Sequence, residues 1–206
     1  MGTAKRNAVI AFRIVAAELA LVAIIAQLSR QVSGGNSVAN FFSYFTVQSN
    51  LLAIGVLGFG AATLPGGQPK SFNAWRGAAT LYLVITGIVY ALLLSNLPNG
   101  PGDLTPWIDT VLHRILPLVM VVDWLVDRPR QRISIKTALL WLVYPLAYLT
   151  YSLVRGPIVK WYPYPFLNPQ QGYLRVAFTS IAVAVASAVL ALLIAAWARP
   201  TKTVEE

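Results

Sequence analysis

One threonine and the chain's single histidine, Thr46 and His113, stand at matched places in two long apolar runs. Thr46 is five residues past Phe41 and His113 six past Trp107. In helices that rise ~1.5 Å per residue, both side chains then lie about 7–9 Å below the ends of their runs. A hydroxyl and an imidazole at one depth are the minimum for nucleophilic catalysis: the imidazole takes the hydroxyl proton and the alkoxide attacks an ester carbonyl. Asp109 precedes His113 by four residues, so its carboxylate is placed to orient one ring nitrogen and leave the other free. Ser49 and Asn50, three and four residues after Thr46, share its helix face and are candidate oxyanion donors. Pro117 has no N–H to give the carbonyl of His113, which predicts a kink there. The same residues also have a plainer reading. A threonine in an apolar helix commonly bonds a carbonyl of its own turn, and a lone histidine commonly makes one structural interhelical hydrogen bond.

The elements that must position these groups follow from composition. Of 206 residues 57% are hydrophobic and 11% charged, a mix that a water-soluble domain of this size cannot bury. Six runs are long enough to cross roughly 30 Å of hydrocarbon, at about 8–28, 41–62, 74–94, 107–126, 137–154 and 176–197. They predict an all-α fold, a polytopic transmembrane bundle of six helices forming a single integral membrane domain over 1–206. Open strands would leave backbone groups unpaired in lipid, and the alternation of a barrel is missing. With zero cysteines the chain has no disulfide, thiolate nucleophile or iron–sulfur cluster, and one histidine excludes a multi-histidine metal centre. Neither metal nor organic cofactor is expected.

Turn chemistry separates the runs: Gly34-Gly35-Asn36, Pro65-Gly66-Gly67, Pro98-Asn99-Gly100-Pro101-Gly102 and Asp127-Arg128-Pro129-Arg130. The first run carries Arg13 and Glu18 and is longer than a signal-peptide core, so it reads as a span that is kept. Charge sets the orientation. Lys5, Arg6, Lys70, Arg76, Arg128, Arg130, Arg132, Lys136, Arg199 and Lys202 fall on one side and only Arg30, Arg155, Lys160 and Arg175 on the other. Ten against four predicts both termini in the cytoplasm. The net charge of +9 is explained by topology and by attraction to anionic lipid heads, without a nucleic-acid partner. Short loops and the Ala and Val content point to a bacterial cytoplasmic membrane.

Polar residues inside the runs cost about 2.5–3.5 kcal/mol each at mid-membrane and therefore point inward. Asp123 lies ~15 Å along the helix from His113, too far to join it, and is expected to pair with Arg76 or Lys136. Arg13 and Glu18 do not face each other on one helix, so each needs a partner on another span or reaches for the interface. Tyr144-Pro145 frees the carbonyl of Trp141 and predicts a second kink, with room for a lipid-shaped cavity. The connection over 155–172 interleaves four prolines with Trp161, Tyr162, Tyr164 and Phe166. It reads either as an aromatic belt or as a stiff lid whose rings, Tyr164 and Phe166 among them, guide an acyl chain to Thr46. Arg114, Arg155 and Lys160 lie near the outer side, where they read either as holders of a fatty-acid carboxylate, Arg114 first among them, or as solvated or lipid-facing charges.

Three stretches carry a resemblance: Ser43-Tyr44-Phe45-Thr46-Val47-Gln48-Ser49-Asn50, His113 through Pro117 to Asp123, and Trp161-Tyr162-Pro163-Tyr164-Pro165-Phe166-Leu167. In span order, over most of the chain, it resembles the androgen-induced membrane protein family. That resemblance implies a six-span hydrolase of fatty acid esters of hydroxy fatty acids, acting on a membrane lipid ester through Thr46 and His113. Two other functions fit the residues: a proton-coupled transporter relaying through Glu18, Asp123 and His113, and a non-catalytic lipid-binding protein. A transporter of that kind usually shows an internal repeat and paired broken helices, which this sequence lacks.

Overall fold

The computed structural model of the chain describes residues 2–96, 104–129 and 131–198. The turn at 98–102, its flanking residues Leu97 and Asp103, and the charges Arg130, Arg199 and Lys202 lie outside the described residues. All regular structure among the described residues is helical. α1 (Thr3–Ser33) leads through α2 (Val38–Phe42) to α3 (Phe45–Thr63), and α4 (Phe72–Val89) runs on into a π turn, Tyr90–Leu94. α5 (Pro106–Thr110), a second π turn (Val111–Ile115) and α6 (Leu116–Val126) follow without a break in the helical path. α7 (Ile135–Leu140), α8 (Val143–Val159) and α9 (Tyr173–Trp197) complete the order, with two short 3₁₀ turns, Pro165–Leu167 and Pro169–Gln171, ahead of α9.

Among the described residues, five helical runs are long and apolar enough to cross a membrane: Thr3–Ser33, Phe45–Thr63, Phe72–Leu94, Ile135–Val159 and Tyr173–Trp197. The run predicted at 107–126 is helical throughout, but its α5, π and α6 pieces are individually shorter than a span. The polarity of the molecule is inverted relative to a water-soluble protein. Large apolar side chains such as Ile158, Leu174, Phe178 and Ile181 stand on the surface. Arg13, Asn50, Arg76, His113 and Asp123 are buried. That distribution is compatible with lipid around the bundle and polar pairing within it.

The helix ends follow from local chemistry. α1 stops where Gly35 takes a positive φ of 68°, and the amide of Asn36 returns to the carbonyl of Gln31 at 2.9 Å. Ser37 and Ser134 begin α2 and α7 by accepting from the amides of Asn40 and Thr137 at 3.2 and 3.0 Å. The surroundings of the two prolines differ. The carbonyl of Trp141, released by Pro145, accepts from the hydroxyl of Tyr82 at 2.8 Å where α7 gives way to α8. At Pro117 the helix widens into the π turn, with the amide of Leu116 reaching Val111. The carbonyl of His113 meets Gly87, where a Cβ would stand 3.2 Å from the oxygen.

The run over 41–62 is not one helix, because the backbone of Tyr44 is extended at φ −75° and ψ 129°, so α3 begins anew at Phe45. Ser43 is held at the break, its hydroxyl 2.6 Å from the carbonyl of Ala39 and 2.8 Å from Tyr151 Oη.

α4 is the central helix, packed on α3, α6 and α9. On one side of it an apolar cluster joins α1, α3 and α6 through Ala20, Leu57, Leu83 and Leu116. On the other, Tyr82, Trp141, Tyr164 and Ala191 form a second cluster. Val47 belongs to the first and Phe45 to the second, so Thr46 lies on the seam between them.

Far from that seam, two arginines and two aspartates lock α1, α4 and α6. Arg13 Nε is 2.7 Å from Asp123 Oδ1 and its Nη2 is 2.7 Å from Asp127 Oδ2, while Arg76 Nη1 is 3.1 Å from Asp123 Oδ2. Arg76, counted among the charges of the cytoplasmic side, is a core residue of α4, 1% exposed. The expected Arg76 partner for Asp123 is joined by Arg13, and Lys136 stays exposed.

Candidate active site

The break at Tyr44 makes Thr46 the second residue of α3. In the first turn of a helix the backbone amides have no carbonyl behind them, so they are available to other acceptors and carry the positive end of the helix dipole. The amide of Thr46 donates to Tyr164 Oη at 3.2 Å. Its side-chain Oγ1 lies 3.2 Å from His113 Nε2 and 3.2 Å from the same Tyr164 oxygen. The sequence places these residues on three separate stretches, and the fold brings them to one point.

His113 is held from two directions. Its Nδ1 is 3.0 Å from Asp109 Oδ1. A carboxylate accepts, so Nδ1 carries the proton and Nε2 presents its lone pair to Thr46. The ring of Tyr90 stacks on the imidazole at a centroid distance of 4.2 Å and an angle of 11°. The hydroxyl of Tyr90 donates to Asp109 Oδ2, so both carboxylate oxygens are engaged. Both residues that carry this stack stand on π turns, where one extra residue per turn redirects a side chain.

Ser49 and Asn50 have a different task from the one their spacing suggests. Ser49 Oγ donates to the carbonyl of Thr46 at 3.1 Å and lies 3.2 Å from Thr86 Oγ1. Asn50 Nδ2 donates to the same carbonyl at 2.8 Å and to that of Leu112 at 3.4 Å. Their donors are occupied by backbone, so they hold the first turn of α3 and tie it to the π turn of His113 rather than face an oxyanion.

Tyr164 descends from the connection between α8 and α9 and is buried. Burial pushes its phenol above the usual tyrosine range, and it remains a hydroxyl at neutral pH. Tyr44, beside it at 5.7 Å in an edge-on contact, is pushed up to about 12, chiefly by burial. Phe166 stacks on Tyr164 at 5.3 Å and 3°. Arg114 is exposed and lies over the Tyr90 ring at 5.8 Å. Arg155 reaches Asn40 Oδ1 at 2.7 Å.

Space at the site is tight. A cavity of about 20 Å³, bordered by Gln27, Phe41, Tyr44 and Leu112, adjoins Thr46 and His113. That is room for about one water. An apolar groove of about 110 Å³ lies between α8 and α9, bordered by Pro145, Leu149, Phe166, Val183 and Ala184. Phe166 is common to that groove and to the stack on Tyr164.

Comparison with protein-family models, curated proteins and solved structures finds no match. Among the described residues no three acidic, histidine or cysteine side chains gather where they could hold a metal. Glu18 is exposed on α1, and Asp123 is fixed between two arginines, so neither adjoins His113. Tyr90 is the participant that spacing did not single out. The sequence held a faint signal for it, a tyrosine near the end of a span at a depth comparable to His113.

Proposed function

We propose that this chain is an intramembrane hydrolase of lipid esters, of the kind implied by its resemblance to the androgen-induced family. In this reading it crosses the membrane six times, with the 106–126 run as the fourth crossing and both termini in the cytoplasm. The observation that supports the proposal is the line Thr46 Oγ1, His113 Nε2, His113 Nδ1, Asp109 Oδ1, with successive contacts of 3.2 and 3.0 Å on either side of the ring.

His113 Nε2 takes the proton of Thr46 as Oγ1 attacks the ester carbonyl, and Asp109 stabilises the imidazolium that results. The Tyr164 hydroxyl, already 3.2 Å from Oγ1, follows the developing charge from the threonine to the carbonyl oxygen and supplies the oxyanion donor. Collapse returns the proton from Nε2 to the leaving alcohol, leaving an acyl-threonine. The water that fits beside Thr46 then attacks that ester, with His113 again as base. The acyl chain lies past Phe166 in the groove between α8 and α9, where its surroundings are as apolar as the bilayer.

Labelling of the purified chain by a fluorophosphonate tests this. Modification of Thr46, absent in Thr46→Ala and His113→Ala, is the expected result. A folded native chain that takes no label argues for lipid binding without chemistry.

A further inference from the structure

The end of the bundle remote from Thr46 holds a cavity of about 350 Å³ that the hydrolase reading does not use. The start of α1, the 64–70 turn, the first turns of α4 and the end of α6 surround it. Arg6, Lys70, Arg76 and Arg128 line it against one carboxylate, Asp127. That carboxylate is already shared, since Oδ2 lies 2.7 Å from Arg13 Nη2 and 3.5 Å from Arg76 Nη1. The lining thus carries more positive than negative groups.

Two features separate this from an ordinary basic surface. Arg76 is 1% exposed and is fixed by Asp123, Asn73 and the carbonyl of Asp127, yet its Nε has no hydrogen-bond partner among the described residues. Arg6 Nε is likewise buried without one. A buried guanidinium donor left unmet is costly, and a solvated charge at a membrane interface has no reason to be enclosed. Neither Arg6 nor Lys70 has an ion-pair partner among the described residues.

We infer that this cavity binds a phosphate group. Several guanidinium and ammonium donors from different elements suit an anion that offers oxygens in several directions, and planar forks suit phosphate in particular. The size is within the range of small-ligand cavities, roughly 300–1,000 Å³. The group arrives either on an anionic lipid head, for which basic pockets between helices are apt, or on a soluble phosphate compound. Because the lining belongs to the ends of α1, α4 and α6, an occupant staples the same helices that the Arg13–Asp123–Arg76 cluster joins.

Thermal unfolding of the full chain in uncharged detergent tests this, with titration by sub-micellar dihexanoyl phosphatidylglycerol and separately by sodium phosphate at constant ionic strength. At least one should raise the melting temperature saturably. Saturation by the lipid alone identifies a headgroup, and saturation by both identifies a site for phosphate itself. Arg6→Gln combined with Lys70→Gln should shift half-saturation upward by about tenfold or more. Lys136→Gln removes one charge from an exposed position outside the cavity and should leave it unchanged. Each single variant, Arg6→Gln and Lys70→Gln, is measured as well, so that misfolding of the pair does not decide the matter. No saturable shift with either probe, or equal weakening by Lys136→Gln, overturns the inference.

Discussion

Thr46 is bound on every polar atom it owns: the amide to Tyr164, the carbonyl to Ser49 and Asn50, and the hydroxyl between His113 and Tyr164. Its position is therefore set by its neighbours, and each neighbour has a separable effect. Tyr164→Phe keeps the ring and its stack on Phe166 but removes the donor beside Oγ1. Fluorophosphonate labelling should slow by about 10²-fold, the usual size of one lost oxyanion donor. Asp109→Asn leaves a side chain of the same shape that can no longer fix the tautomer of His113. Labelling should then fall by about 10²–10⁴-fold, as for the orienting carboxylate of other triads. Labelling rates of both variants against the native chain check the pair. Unchanged rates in Asp109→Asn would remove that residue from the mechanism.

Between elements, close approach is the controlling feature. Gly87 lets α4 come within reach of the π turn, and a Cβ there would stand 3.2 Å from both the carbonyl of His113 and the ring of Pro117. Neither neighbour is a flexible tip, so Gly87→Ala should push the two helices apart and move His113 from Thr46. A stability loss of about 1–3 kcal/mol is expected from such overpacking. The accompanying fall in labelling should exceed what the melting curve explains. At the other end of α4 the interaction is electrostatic. Asp123→Ala leaves Arg13 and Arg76 buried without their shared carboxylate and should destabilise the bundle by about 3–5 kcal/mol. Equilibrium unfolding in mixed detergent measures this, and a change below 1 kcal/mol would mean that Asp127 alone satisfies both arginines.

At the level of the whole molecule, the outer faces are apolar and the interior carries the polar groups. In the proposed hydrolase, a lipid ester enters between helices along the groove beside α8 and α9, which is bordered by Phe166. Ala184→Phe would fill it without touching Thr46, His113 or Tyr164. Hydrolysis of a p-nitrophenyl palmitate should slow by about tenfold, the effect of a few methylenes that lose their apolar contact, while p-nitrophenyl acetate is turned over as before. Equal loss on both esters would place the acyl chain elsewhere.

The helices, their apolar exteriors and the participation of Thr46, Asp109 and His113 as candidates were all legible in the chain, because hydrophobic run length and the four-residue spacing are local properties. The break at Tyr44 was not. It depends on Ser43 finding Tyr151 and on Thr46 finding Tyr164, contacts made across 108 and 118 residues. Sequence spacing likewise put Ser49 and Asn50 on the face of Thr46 but not their donors on its carbonyl, since a side chain's direction along a helix depends on what packs against it. Asp123 was expected to pair with Arg76 or Lys136, but the choice of Arg76 and the addition of Arg13 and Asp127 were not legible. Whether such charges lie at the same depth is decided only when the helices assemble. Local chemistry determined what kinds of groups this protein possesses; tertiary packing decided which of them meet.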